Sequence, residues 1–177
     1  MNLRNKRIIT ILIGLAITSS TLLLAINVQS LPSGTQNFDG IDKMYMILPF
    51  SGGSTDAGHV GQVDIYQYSH NIYASKSSAQ GAGTVSHTPL TVVKLVDEAS
   101  VKLWESLTIG SVLPSVQLLF YGGIGSDPYF NITLASAQVV SILSDADTTT
   151  HFEMVSFIYG TIYWTDREGA TWSSTWI

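Results

Sequence analysis

The chain contains no cysteine. That excludes disulfides, thiolate zinc sites, iron–sulfur clusters and a cysteine nucleophile, and leaves the redox compartment open. Charge is scarce too. Asp, Glu, Lys and Arg make up 12% of the 177 residues, about half the usual ~25%. Only eight residues are basic, and three of those lie in the first seven. A nucleic-acid binder needs a basic stripe to neutralise phosphates, so no nucleic-acid partner is expected. What replaces charge is hydroxyl: 39 residues are Ser or Thr. With 45% hydrophobic and 10% aromatic residues, the chain has ample apolar material for a core, which argues against disorder.

The first thirty residues differ from the rest. Arg4, Lys6 and Arg7 precede an uncharged run from Ile8 to Ile26. Nineteen residues exceed the ~7–15 of a signal core and approach the ~20 that span a bilayer. Thr18, Ser19, Ser20 and Thr21 weaken it as a permanent span, and Val28-Gln29-Ser30 places small residues for cleavage before Leu31. Two readings stay open: a cleaved signal peptide or a retained membrane anchor. Either places residues 31–177 outside the cytoplasm, because the basic flank stays inside. That part carries 5 basic and 13 acidic residues, which disfavours anionic lipid as well as nucleic acid. Membrane contact is expected only through residues 8–26.

The remainder reads as all-β with one short helix. Residues 31–43 form a turn-rich linker, 44–166 a single domain and 167–177 a C-terminal tail. Strands are expected over Met44 to Phe50, Gly61 to Ala74, Thr84 to Leu95, Ser115 to Tyr121, Tyr129 to Leu143 and His151 to Thr165. Pro89 lacks an amide hydrogen and belongs at an edge or a bulge. Lys76, Ser77, Ser78, Ala79, Gln80 and Gly81 lie in a small, polar loop between two strand segments. The helix is expected at 100–109. Asp97 or Ser100 caps it, Leu103, Trp104 and Leu107 give it an apolar stripe, and Gly110 ends it.

Few residues suggest chemistry. His59, His70, His87 and His151 are isolated in sequence, with no H-E-x-x-H motif. Asp56-x-x-His59 pairs a carboxylate with an imidazole, but no G-x-S-x-G nucleophile turn accompanies it. Gly122-Gly123-Ile124-Gly125 has no helix with Lys or Ser/Thr behind it, so it is a turn and not a phosphate cradle. No catalytic, cofactor or metal residue is assigned.

Several segments in order resemble the haemolysin-coregulated proteins (Hcp), the tube subunits of type VI secretion. Tyr45-Met46-Ile47-Leu48 is followed by a turn with Gly53, Ser54, Thr55, Asp56 and His59, then Val63-Asp64-Ile65. At the centre, His87-Thr88-Pro89-Leu90 precedes Lys94, Asp97, Ser100, Leu103 and Gly110. Glu153-Met154-Val155-Ser156-Phe157 with Tyr159 and Ile162 is similar to the family's last strand. Two features depart from the pattern: Val101 stands where the family usually has proline, and the family normally lacks an export segment. The resemblance implies a small β-barrel of two sheets with one helix, and a non-enzymatic subunit without cofactor. It implies six-membered rings that stack into a tube, with the loop at Lys76 to Gly81 meeting the next ring. The implied partners are further copies of the chain and secreted cargo proteins. An exported surface or binding module that keeps the barrel without the tube role is the alternative.

Overall fold

The structure is a computed structural model that describes residues 43–75, 83–122 and 127–176. The export segment, the linker up to residue 42 and the loop at Lys76 to Gly81 lie outside these residues, as does most of the glycine-rich turn after Tyr121.

The strands are β1 (Lys43–Ile47), β2 (Val63–Ser69), β3 (Ile72–Ala74), β4 (Val85–His87), β5 (Leu90–Leu95), β6 (Val112–Tyr121), β7 (Phe130–Ala146), β8 (His151–Ile158), β9 (Thr161–Asp166) and β10 (Thr171–Thr175). The helix α1 (Glu98–Ile109) lies between β5 and β6. The main sheet runs β10-β9-β7-β6-β1-β2-β5-β8, and β8 also pairs with β7. Six strands therefore close into a barrel, with β9 and β10 as an extension attached through β7. All these pairings are antiparallel. Closure removes the exposed edges that an open sheet would present. β3 and β4 form a separate two-stranded sheet.

Alternation along the strands builds the core. On β5, Leu90, Val92 and Lys94 point inward; on β8, Glu153, Val155 and Phe157 do so. The register places Leu90 opposite Phe157, Val92 opposite Val155 and Lys94 opposite Glu153. Met46, Val63, Leu118, Ile132, Leu134 and Ile162 are among the other fully buried side chains. One period-two row thus carries two apolar pairs and one charged pair.

The long strand β7 changes partner midway. Its first part pairs with β9, its second with β8. The pivot is Ser136, at φ 53°, a conformation that costs a non-glycine residue energy. Before it Ile132 and Leu134 face inward; after it Ala137 and Val139 do. The inward phase therefore flips by one residue. β6 flips in step: Leu113 is inward on one side, and Val116, Leu118 and Phe120 on the other. The β6–β7 ladder skips Pro114 and Ser136, where proline has no hydrogen to donate. Gly160, between β8 and β9, donates its amide to Ala135 O at 2.9 Å. A side chain there would meet Ser136 Cβ at 3.4 Å.

Several expected segments divide in the structure. The segment Gly61 to Ala74 is two strands, β2 and β3, with an irregularity in β2 between Ile65 and Gln67. Thr84 to Leu95 breaks at Thr88-Pro89, as a residue without an amide hydrogen requires. His151 to Thr165 turns at Tyr159-Gly160 into β8 and β9. Residues 167–177, read as a tail, contain β10, which pairs with β9 from Thr171↔Thr165 to Thr175↔Thr161. Two threonines, two serines and Trp172 form this strand; its weak hydrophobic pattern hid it.

Candidate functional site

The central motif residues gather where β5 ends and α1 begins. Asp97 has an extended backbone (φ −145°, ψ −167°) and its side chain accepts from Ala99 N. Ser100 Oγ accepts from Asp97 N at 3.0 Å, which completes a reciprocal cap. The helix runs from Glu98, slightly earlier than expected, and stops at Gly110 in the left-handed conformation (φ 66°). That backbone favours glycine. Its buried stripe is Ala99, Ser100, Leu103 and Ser106, with Leu107 partly buried against the core. Trp104 is 39% exposed and lies at the rim.

Beneath the cap is a buried charge network. Lys94 and Glu153 are 0% and 1% exposed. Lys94 Nζ meets four oxygens: Asp97 Oδ1 at 2.7 Å, Leu95 O at 2.7 Å, Ser100 Oγ at 2.9 Å and Glu153 Oε2 at 3.1 Å. Ser100 Oγ donates to Glu153 Oε2 at 2.7 Å, and Trp104 Nε1 donates to Glu153 Oε1 at 2.9 Å. Burial pushes the Glu153 carboxyl up, but the hydrogen bonds from Ser100, Trp104 and Lys94 outweigh it and hold the group below its ordinary value. Lys94, Asp97, Ser100 and Leu103 therefore act together to dock the helix on the barrel. Asp97 also reaches the turn after β1, where Gly53 N donates to its Oδ2 at 3.0 Å.

That turn carries the second motif group. Asp56 Oδ2 accepts from Lys43 Nζ and Tyr45 Oη, each at 2.6 Å. These two bonds hold the carboxyl below its ordinary value. His59 stacks on Tyr45 with ring centroids 3.8 Å apart and planes 6° apart, and Tyr121 meets both rings edge-on. His59 Nδ1 is 3.1 Å from Gln62 Oε1. The Asp56 and His59 side chains thus bond to other groups, while their backbones meet in the turn, where His59 N donates to Asp56 O at 2.9 Å. Ser54 is buried and its Oγ accepts from Asp56 N at 3.4 Å; Thr55 is exposed. Open clefts of about 350 and 530 Å³ flank Asp56. Gly52, next to this turn, is a close-approach position. A Cβ there would collide with Val63 Cγ2 and lie 2.5 Å from Gln62 O. Gly52→Ala is expected to destabilise the fold by about 1–3 kcal/mol, as overpacking does, read as a lower urea midpoint.

His87 takes no part in either group. It meets His70 around the Tyr159 hydroxyl instead. Pro89 occupies the break before β5. Among the described residues no three His, Asp or Glu side chains gather as a metal ion would need, and no helix is long and apolar enough to cross a membrane. Sequence reasoning did not foresee Glu153 as the partner of Lys94. Lys94 is the third inward position on β5 and Glu153 the first on the antiparallel β8, and that signal becomes readable only when the register is known.

A closed six-stranded barrel with a helix fixed to it by buried charges defines the class of fold. The family model described as "Type VI secretion system effector, Hcp" matches residues 37–165. The chain belongs to that Hcp family of type VI secretion. It is 30% identical over 139 residues to the "Major exported protein" of Pseudomonas aeruginosa PAO1, covering 71% of this chain and 81% of that relative. A mutant Hcp1 from E. coli EAEC 042 superposes with a TM-score of 0.68 at 25% identity, over 76% of this chain and 99% of its own. The secreted protein Hcp3 from P. aeruginosa shares the fold, with a TM-score of 0.65 at 24% identity over 77% and 99% of the two chains.

Proposed function

We propose that this chain is a non-enzymatic, self-assembling subunit whose copies close into six-membered rings that stack into a tube. The observation that carries this is coverage: the match takes in 99% of the E. coli Hcp1 chain, so barrel, helix and extension are retained together. Heterologous ring closure needs two different complementary patches on each subunit. The barrel exposes Tyr66, Val112, Val140 and Leu143, apolar groups suited to such patches. Cargo proteins carried in the lumen are the further partners that this reading implies. Sedimentation and negative-stain imaging test it. Rings support it; a strictly monomeric chain at high concentration overturns it.

The loop at Lys76 to Gly81 is proposed as the stacking contact, with ring closure made by the barrel's sides. Deleting these six residues is expected to leave folding and single rings intact and to abolish stacked tubes. Unchanged stacking removes the loop's role, and loss of single rings moves it to the lateral interface.

A second reading, an exported surface module, is favoured by one feature. The family match begins at residue 37, leaving the uncharged run at 8–26 outside it. On both readings that run directs the domain outside the cytoplasm, either cleaved or kept as an anchor. Mass spectrometry of the mature N-terminus and cell fractionation decide between these. An intact chain confined to the soluble cytoplasmic fraction refutes the export expectation.

A further inference from the structure

Among the described residues β3 and β4 pair only with each other, through Ile72↔His87, Tyr73↔Ser86 and Ala74↔Val85. A lone two-stranded hairpin is at best marginally stable in water. At its base Thr88 N donates to Asn71 O at 2.9 Å, which ties the two arms together where they continue into β2 and β5, paired at Ser69↔Thr91, and there two histidines meet one hydroxyl. Tyr159 Oη is 2.7 Å from His70 Nε2 and 2.7 Å from His87 Nδ1. The other nitrogen of His87 is 2.9 Å from Ser174 Oγ on β10. Trp176 packs on both His87 and Tyr159, at centroid distances of 5.7 and 5.2 Å. This cluster joins the hairpin, the β8–β9 turn and the C-terminal segment.

Proton counting restricts what the cluster can hold. With both rings neutral, one ring donates to Tyr159 Oη and the other accepts its proton. With one extra proton on His87, both its nitrogens donate, to Tyr159 and Ser174, while Tyr159 donates to His70. All these bonds remain satisfied. With a second proton on His70, both rings donate to one oxygen and the tyrosine proton loses its acceptor. Two cations would then lie with ring centroids 6.2 Å apart. Burial keeps the Tyr159 hydroxyl well above the ordinary phenol range, so it does not ionise to relieve this.

We infer that the His70–Tyr159–His87 cluster is an acid-sensitive latch: it holds the β3–β4 hairpin with no more than one added proton, and the second proton releases the hairpin from the barrel and β10. The proposal concerns the folded subunit and does not depend on ring formation. Burial holds both imidazoles below their ordinary value, and the neighbouring His87 lowers His70 further. The groups facing the rings are Tyr159 from the β8–β9 turn, Ser174 and Trp176 from the C-terminal segment, and each other. Among the described residues no Asp, Glu, Lys or Arg bonds to either ring. A histidine whose docked value is depressed contributes stability that is complete above about pH 6.5 and is lost as the pH falls below it.

The test is an NMR titration of the full chain, its histidines isotopically labelled, from pH 7.5 to 4.5, with tryptophan fluorescence recorded alongside. Trp176→Phe identifies the Trp176 contribution. His70 and His87 are expected to titrate below 6.5 in two steps about a unit or more apart, as coupled sites do. The Trp176 emission should shift to the red with the second step only. His70→Gln keeps an amide within reach of the hydroxyl without a titrating group, and should abolish the acid shift while leaving the neutral-pH spectrum unchanged. Both rings titrating in one step near 6.5, an unchanged Trp176 signal at full protonation, or an acid shift that survives His70→Gln would each overturn the latch.

Discussion

Lys94→Met is expected to destabilise the domain by about 3–5 kcal/mol, because removing one partner leaves a buried charge uncompensated. Methionine restores most of the volume, so the loss is electrostatic and not a cavity. Glu153 would keep its bonds from Ser100 and Trp104 but lose the neighbouring cation inside the barrel. Replacing both partners at once, Lys94→Met with Glu153→Met, should recover much of the loss, since paired removal of buried ions is often close to neutral. Urea midpoints for the two single variants and the double variant close the cycle; strictly additive losses would show that the pair is not coupled. Acid makes a related prediction. Glu153 sits below its ordinary value near 4.5, so its contribution is complete above that pH and fades as pH falls through the lowered folded value. Glu153→Gln should flatten the acid limb of the stability curve in that range.

Leu103→Ala is expected to cost about 2–5 kcal/mol, as for other fully buried leucines. Leu103 is 0% exposed and packs from α1 into the barrel core with Ala99. For a domain of this size the melting temperature should fall on the order of 10 °C. Val101, on the same helix, is 73% exposed. Val101→Ala should stay within about 0.5 kcal/mol, which separates helix docking from helix propensity. A melting temperature unmoved by Leu103→Ala would mean that the helix does not depend on this contact.

The helix and its boundaries were legible because the signals are local. Asp97 and Ser100 stand three apart and Gly110 follows the last apolar position, so cap, stripe and stop all fall within fifteen residues. The family was legible from the order of short motifs from Tyr45 to Ile162. The interior of β7 was not. Ser136 adopts a positive φ that no serine announces in sequence, and the phase flip there is imposed by two partner strands. The meeting of His70 and His87 was hidden for a similar reason: their link is Tyr159, more than seventy residues downstream of either. β10 was missed because its pattern of hydroxyls and exposed aromatics, with Trp172 76% exposed, lacks a buried face to set a period of two. The Asp56-His59 side-chain pairing suggested by spacing is replaced by contacts of both residues with Tyr45, since spacing alone does not orient side chains.

The barrel's two long-range seams determine when it can form. β6 to β10 follow one another as neighbouring or nearly neighbouring antiparallel strands, so their pairings join residues close in sequence. β1 must wait for β6, where Lys43 meets Tyr121, and β5 must wait for β8, where Leu95 meets Phe152. Pairings of such separation are slow because loop closure precedes any gain from contact. A chain made or threaded from its N-terminus therefore presents β1, β2 and β5 as unclosed strands until more than a hundred residues have emerged. The first half of the polypeptide stays pliable through that interval, and the second half sets the moment at which it becomes a barrel.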